Sequence, residues 1–280
     1  MKTITLSVVL ATRNEEDNLG RCLEAVKAIA GEIIVADEQS TDQTAAIAKK
    51  FGAKVLSEPH HANFHITKNK AIRAARGRWI LQLDADEVVS PELAEEIRAI
   101  VHPRGHPRGV PRVRPHLGGE THPGSEINGY WINRKNWFLD RFLTKGGQYP
   151  DPTLRLYRRG LGHLPAADVH EQAKVSGAVG HLQHDLLHYR DTSFAKYLDG
   201  FNRYSSLVAD QLQSRGVSFN LLNTLNYLFL KPAVTFFTIY FRHLGLVDGF
   251  PGFIFALFSG LIHPVAYIKY WQHKYYPEND

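Results

Sequence analysis

"WILQLDADEVV" occupies residues 79–89. An apolar run interrupted by Gln82 stops at Asp84, Asp86 and Glu87, with Ala85 between the first two acids. So short an apolar run, bounded by polar residues, reads as a strand buried on both faces. Its acids then fall where the strand ends. In extended chain, residues two apart point to one face, so Asp84 and Asp86 converge. Two like charges at the lip of a cleft repel each other, which makes them a poor structural device and a good site for a hard divalent cation. Glu87 points elsewhere, and the spacing assigns it to the helix that follows, where an acid suits the helix dipole.

Upstream, the same grammar repeats. TLSVVLAT, EIIVAD and AKVLSE are β-branched or aliphatic runs. Between them Leu19, Cys22, Leu23, Val26 and Ile29 recur at helical spacing, and TAAIAKKF and ITKNKAIRAARG read as two further helices. Thr12 and Glu15 have the spacing of a capping box. Gly52 is placed to end the second helix, and Ser90-Pro91 to open a fourth that runs through Ile100. Strands alternating with amphipathic helices predict a mostly parallel sheet covered on both faces. In such a sheet ligands bind outside the carboxyl ends of the strands. The ends here are ATRNEE, ADEQSTD and DADE, polar and mostly acidic on one common edge. Asp37 is placed to accept a hydrogen bond from a base edge, Asp42 to serve a helix N-terminus, and Lys68 either to meet a phosphate or to lie in solvent.

Composition sets the outer limits. The chain has 280 residues, 44% of them hydrophobic, enough for a large core. The single cysteine, Cys22, has no partner for an internal disulfide and sits on an apolar helix face. MKTITLSVVLAT lacks the long apolar core and cleavage site of a signal peptide, so a cytoplasmic protein is expected. A net charge of +5 is compatible with a nucleic acid, an anionic membrane surface or a phosphorylated substrate and does not choose among them, and 15 histidines make the balance pH-sensitive. Residues 102–124, rich in Pro, Gly, Arg and His, read as a flexible basic surface loop with no repeated ligand spacing, and no nucleic-acid partner is expected. The segment 125–190 regains strand-like runs. Residues 191–216 read as a helix whose Phe194, Tyr197, Leu198, Phe201, Tyr204 and Leu207 form a core-facing stripe. From 217 onward the chain is apolar and aromatic. Gly249–Ile268 carries no acid, lysine or arginine. Pro251, Gly252, Gly260 and Pro264 interrupt it and Tyr and Trp flank it, so it reads as broken helices lying in a membrane interface. Dinucleotide-binding, P-loop and hydrolase-elbow motifs are absent.

"SVVLATRNEEDNL", "EIIVADEQSTDQT" and "KNKAIRAARGRWILQLDADEVVSPEL" together resemble the nucleotide-sugar-binding half of family 2 glycosyltransferases. "GGQYPDPTLRLYRRG", "VHE" and "LVDGFPGF" resemble the bacterial lipopolysaccharide-core β-glucosyltransferases of that family. The resemblance implies a GT-A α/β fold over residues 1–190, comprising a donor half (1–101), the 102–124 loop and an acceptor half (125–190), with a membrane-associating helical region at 191–280. It implies that Thr12, Arg13, Asn14 and Glu15 line the nucleotide pocket, that Asp37 reads uracil, and that Lys68, Asp84 and Ala85 also face the donor. Asp86, Asp84 and His170 would hold Mg²⁺ or Mn²⁺. Asp151 is the first candidate for the base of an inverting transfer and Glu171 the second, although Asp151 is equally a turn residue on its spacing, and Pro150 stands where many relatives have Glu. Arg155 and Arg158 would face phosphates of donor or acceptor. The implied activity is metal-dependent hexose transfer, glucose first, from a UDP-sugar to a lipid-linked acceptor at the cytoplasmic face of the inner membrane. A polyprenyl-phosphate acceptor, or a non-catalytic membrane-docked protein of the same fold, are the alternatives. The resemblance leaves room for an oligomer.

Overall fold

The computed structural model describes residues 4–61, 63–102, 126–165 and 172–276. The chain divides into two compact units. The first holds residues 1–134 and 151–188, the second 135–150 and 189–280.

In the first unit β1 (Leu6–Thr12), α1 (Glu16–Val26), β2 (Glu32–Asp37), α2 (Thr44–Lys50), β3 (Lys54–Ser57), α3 (Phe64–Ala74) and β4 (Trp79–Leu83) alternate as the periodicity predicts. β3, β2, β1 and β4 lie side by side in that order, all parallel. Their alternating side chains build a core on each face. Val8, Leu10, Leu81 and Leu83 pack against Leu19, Cys22 and Leu23 of α1. Val9, Ile34 and Ile80 pack against Ala71 and Ile72 of α3. Ser90 caps α4 (Pro91–Val101) by accepting from the Leu93 N–H at 3.2 Å, with Pro91 at its start. Gly52, at φ 74°, terminates α2 in the left-handed conformation a β-carbon disfavours.

Beyond β4 the sheet becomes mixed. β5 (Glu87–Val89), β6 (Ile127–Phe138), β7 (Arg141–Phe142), β8 (Asp151–Arg158), β11 (Ala178–His181) and β12 (Leu186–Asp191) extend it to ten strands, while β9 (Gly162–His163) and β10 (Lys174–Val175) form a separate pair. β8 runs antiparallel to β4, with Trp79 opposite Arg158 and Leu81 opposite Leu156. Asp151 therefore returns to the edge where β4 ends, and Arg158 falls at the other edge.

The second unit is mainly helical: α5 (Phe194–Ser214), α6 (Leu221–Leu225), α7 (Lys231–Phe237) and α8 (Gly249–Tyr275), with π-helical turns at Asn226–Leu230 and Thr238–Arg242. The expected breaks in the last helix do not occur. α8 runs 27 residues with Pro264 inside it. One proline removes one rung of the backbone ladder, and packing by α5 and α7 holds the rest. Gly260 is needed at the α7 contact, where a β-carbon would lie 2.7 Å from the Pro232 carbonyl oxygen. Phe194, Tyr197 and Phe201 place their rings edge-on to Phe258 at 5.4–5.7 Å. The expected α5 stripe is nonetheless not core: Phe194, Leu198, Tyr204 and Leu207 are exposed, Tyr197 and Phe201 are half-buried, and Ser205, Ala209 and Leu212 are buried instead. Asp248 is buried and accepts hydrogen bonds from the Thr144 N–H (3.0 Å) and hydroxyl (2.7 Å) and from the Lys145 N–H (2.9 Å).

Candidate active site at the strand ends

The first two strand ends are stitched together by their loops. Asn14 adopts φ 53°, its backbone N–H donates to the Ser40 hydroxyl at 2.9 Å, and its side-chain Oδ1 accepts from the Thr41 N–H at 2.9 Å. Asp42 accepts from the N–H groups of Glu16 (3.1 Å) and Thr44 (2.9 Å), which gives it the predicted place at helix starts. Asp37 is buried and accepts from the Ser40 N–H (3.1 Å), the Ser40 hydroxyl (2.5 Å) and Thr12 (3.3 Å). Thr12 thus bonds to Asp37 and does not cap α1, whose N-cap residue Glu15 makes no side-chain cap hydrogen bond. Arg13 is exposed, and the Glu15 N–H donates to Thr44 at 2.7 Å. Glu38, not singled out by the sequence, is buried next to Asp37 and accepts from Thr67 (2.6 Å) and contacts His60 Nδ1 (2.7 Å).

At the third strand end the acids acquire separate partners. One oxygen of Asp84 pairs with the Lys68 ammonium and the other with the Arg155 guanidinium at 2.5 Å. Burial opposes ionisation of Asp84, but Arg155 and Lys68 outweigh it and hold the carboxyl far below the usual carboxylate range. Arg155 also donates to Gln82 (2.6 Å) and Glu87 (2.6 Å). Glu87 is fully buried in β5, accepts from the Asp84 N–H at 2.9 Å, and meets Arg134 at 3.3 Å. Arg134 in turn reaches Asp151, at 3.0 Å through Nε and 2.8 Å through Nη2. Lys68, Asp84, Arg155, Glu87, Arg134 and Asp151 form one chain of alternating charge whose members balance.

Four expectations change accordingly. Glu87 serves no helix N-terminus; it is the hub of the ion network. Arg155 is buried and paired with the carboxylates of Asp84 and Glu87. Arg158 sits at the opposite sheet edge, over the Trp79 ring at 5.1 Å and paired with Glu126 at 3.1 Å. Lys68 is not solvated: it is buried and paired with Asp84. Ala85 is buried in the core beside α1. His170 and Glu171 lie outside the described residues, as does the basic loop from residue 103 on.

Asp86 stands apart from the network. Among the described residues it has no lysine or arginine partner; its neighbour is His188 on β12, with Nε2 3.3 Å from Oδ2. Burial pushes its carboxyl up, yet the His188 contact prevails and lowers it overall. A divalent cation fits Asp86, whose charge no lysine or arginine meets, better than Asp84, whose two oxygens each already carry a cation. No three His, Cys, Asp or Glu side chains converge on one point among the described residues. Substrate oxygens would therefore have to supply much of the coordination. Gln82, Glu87, Arg134 and His188 were not legible as site residues, because their partners come from strands distant in sequence.

The family profile "Glycosyl transferase family 2" matches residues 7–162, more than half of the chain. The chain belongs to glycosyl transferase family 2. The lipopolysaccharide core biosynthesis glycosyltransferase LpsC of Rhizobium meliloti (strain 1021) is 27% identical over 276 residues, covering 96% of this chain and 93% of LpsC. The low-salt glycan biosynthesis hexosyltransferase Agl6 of Haloferax volcanii is 43% identical over 127 residues, 43% of this chain and 30% of Agl6. Among solved structures, the mannosyltransferase PcManGT from Pyrobaculum calidifontis, in complex with GDP-Man and Mn²⁺, aligns with a TM-score of 0.50 at 12% identity, covering 98% of this chain and 89% of that one. The fold is GT-A, and the protein is a family 2 glycosyltransferase.

Proposed function

We propose that this glycosyltransferase moves a hexose, glucose first, from a UDP-sugar to a lipid-linked acceptor of the lipopolysaccharide-core type, with inversion at the sugar carbon. The observation that carries the reading is Asp86 at the carboxyl end of β4, an acid that Asp84's ion pairs leave uncompensated, on the edge where Thr12, Asp37 and Asp151 also end. The near full-length similarity to LpsC supports the acceptor class.

In this reading the loops around Asn14 and Ser40 hold the nucleotide, with Asp37 beside the base. Asp86 is the described residue that would hold a divalent ion, Mg²⁺ or Mn²⁺, which would supply charge stabilisation to the departing diphosphate. Asp151 takes the proton of the acceptor hydroxyl. The acceptor oxygen attacks the anomeric carbon from the side opposite the diphosphate. The bond from that carbon to the diphosphate oxygen breaks, and its electron pair leaves with UDP. Arg134 aligns the Asp151 carboxylate.

The second unit supplies the membrane partner. Between residues 211 and 277 Asp248 is the only acid, and it is buried, whereas Arg215, Lys231, Arg242, Lys269 and Lys274 are all basic. Leu221, Leu222, Phe229, Leu230, Phe237 and Phe250 are exposed, Leu222 by 78%. Among the described residues one helix is long and apolar enough to cross a membrane, with a mean hydropathy of 1.7 over its best window. An apolar face with basic residues and no exposed acid suits an anionic cytoplasmic leaflet.

UDP release from a panel of UDP-hexoses, with Asp86→Ala beside the wild type, tests the chemistry. Turnover by the wild type and its loss in the folded variant are expected; undiminished turnover of Asp86→Ala in Mg²⁺ or Mn²⁺ would refute it. Sedimentation with phosphatidylglycerol vesicles tests the surface, and Leu222→Glu with Phe229→Glu is expected to abolish binding.

A further inference from the structure

The first unit holds a second concavity, away from the strand-end acids. The last turns of α3 and the chain that follows β8 enclose a cavity of about 600 Å³, whose lining includes Asn69, Ile72, Arg73, Arg159, His163 and Leu164. Small-molecule sites typically span about 300–1,000 Å³. Trp79 at the start of β4 pairs with Arg158 at the end of β8, so Arg159 follows at the sheet edge opposite Asp84. Its N–H donates to the Arg78 carbonyl at 2.9 Å. Extended chain rises about 3.3 Å per residue, which puts Arg78 about 20 Å from Asp84.

The walls are held in place while the charges on them stay uncompensated. Asn69 ties α3 to the facing loop: its Nδ2 donates to the Leu164 carbonyl at 2.7 Å and its Oδ1 accepts from the Leu164 N–H at 3.2 Å. His65 Nδ1 meets the Pro165 carbonyl at 2.6 Å. Arg159 donates through Nε to the Gly77 carbonyl at 3.1 Å, which orients the guanidinium and leaves its terminal nitrogens to face other partners. Among the described residues neither Arg73 nor Arg159 has a carboxylate partner, and the lining contains no acid. The neighbouring arginines have taken acids of their own: Arg76 pairs with Glu32 and Arg158 with Glu126. A basic residue suits the last turn of a helix, which accounts for Arg73 but not for Arg159 on the facing wall.

Two guanidinium groups lining one cavity repel each other unless an anion joins them. Each offers a planar fork of donors that matches the oxygens of a phosphate. The remaining lining, Ile72, Ala75, Leu164 and Pro165, is apolar, and a bare phosphate ion would leave it uncovered. We infer that this cavity is a binding site for a small phosphomonoester. Arg73 and Arg159 hold the phosphoryl group, and the apolar wall covers the body that carries it. The site is separate from the donor and metal chemistry proposed above and does not rest on it. A soluble sugar phosphate and the head group of a phosphorylated lipid share the chemistry the cavity selects.

Calorimetric titration of the purified full chain, with UDP present to occupy the nucleotide pocket, tests the inference. The probes are glucose 6-phosphate, dihexanoyl phosphatidic acid below its micelle concentration, inorganic phosphate and glucose. One of the two esters is expected to bind at least about tenfold more tightly than inorganic phosphate, because its body covers apolar wall. Glucose is expected not to bind, and the ester that binds more tightly identifies the source. Arg73→Gln combined with Arg159→Gln is expected to weaken ester binding at least about tenfold at an unchanged thermal midpoint. Asp86→Ala is expected to bind the ester as the wild type does. Arg73→Gln alone, whose side chain has no partner to lose, serves if the double variant does not fold, and a weaker affinity is again expected. No binding of either ester, equal affinity for inorganic phosphate (an adventitious ion only), or undiminished affinity in the arginine variants would overturn the inference and leave the transfer chemistry standing. Ester binding lost in Asp86→Ala and kept in the arginine variants would move the ester to the catalytic edge and overturn it as well.

Discussion

Glu87→Gln is the most direct probe of the ion network. The change removes one charge and no volume. Glu87 is fully buried, and its carboxylate meets Arg155 at 2.6 Å, Arg134 at 3.3 Å and the Asp84 N–H at 2.9 Å. Removing one partner from a buried ion pair costs about 3–5 kcal/mol, because the remaining charge stays desolvated. Two contacts soften the loss here: Arg155 keeps Asp84, and the glutamine oxygen still accepts from one donor. The lower end, about 3 kcal/mol, is therefore expected. With a urea slope of about 2–3 kcal/mol per molar, the unfolding midpoint drops by about 1 M or slightly more at constant slope. Circular dichroism in urea at pH 7 measures it. Arg155→Met on the Glu87→Gln background is expected to cost less than the sum of the two single changes, since the stranded cation is gone. A single-variant loss below about 1 kcal/mol, or strict additivity, would refute the view that these charges compensate one another.

Asp151→Asn is expected to slow UDP-sugar turnover by roughly 10²–10⁴ with the donor KM little changed, as for a general base; a KM-only effect would reassign Asp151 to binding. The depressed carboxyls of Asp84, Asp86 and Glu38 stabilise the fold above the ordinary carboxylate pKa, and that contribution drains away as pH falls below about 4. Thermal midpoints between pH 7 and pH 3 should show a steep loss, shallower in Asp84→Asn; a flat profile would contradict the ion pairs. Burial, reinforced by Glu87, Asp86 and Asp84, pushes the Cys22 thiol well up. A thiol reagent at pH 8 is therefore expected to label Cys22 only after denaturation, and rapid native labelling would place it outside the core.

The donor half was readable because its physics is local. Each strand is a contiguous apolar run, each helix a 3.6-residue stripe, and parallel order brings the ends of β1, β2 and β4 to one edge without further information. Asp42 and Ser90 were legible for the same reason, since their partners lie within three residues. Glu87 and Arg155 were misread because an acid before a helix and an arginine in a strand look alike whether they face solvent or each other. Only the antiparallel return of β8 decides it. His188 was invisible, since its neighbour belongs to a strand end about a hundred positions away. In α5 the large aromatics suggested core, yet the buried positions are Ser205, Ala209 and Leu212, two of them small, as close helix packing favours.

Asp248 has an implication for dissecting the protein. Its carboxylate is satisfied by Thr144 and Lys145, which precede it by more than a hundred positions and come from a segment enclosed by first-unit sequence. The second unit is therefore not a tail that can be clipped off or grafted. A fragment starting at residue 189 would carry a buried carboxylate with its donors missing. A chimera exchanging C-terminal helices with a relative would fold only if residues 135–150 travelled with them, so that recombination at a single crossover point is closed to this chain.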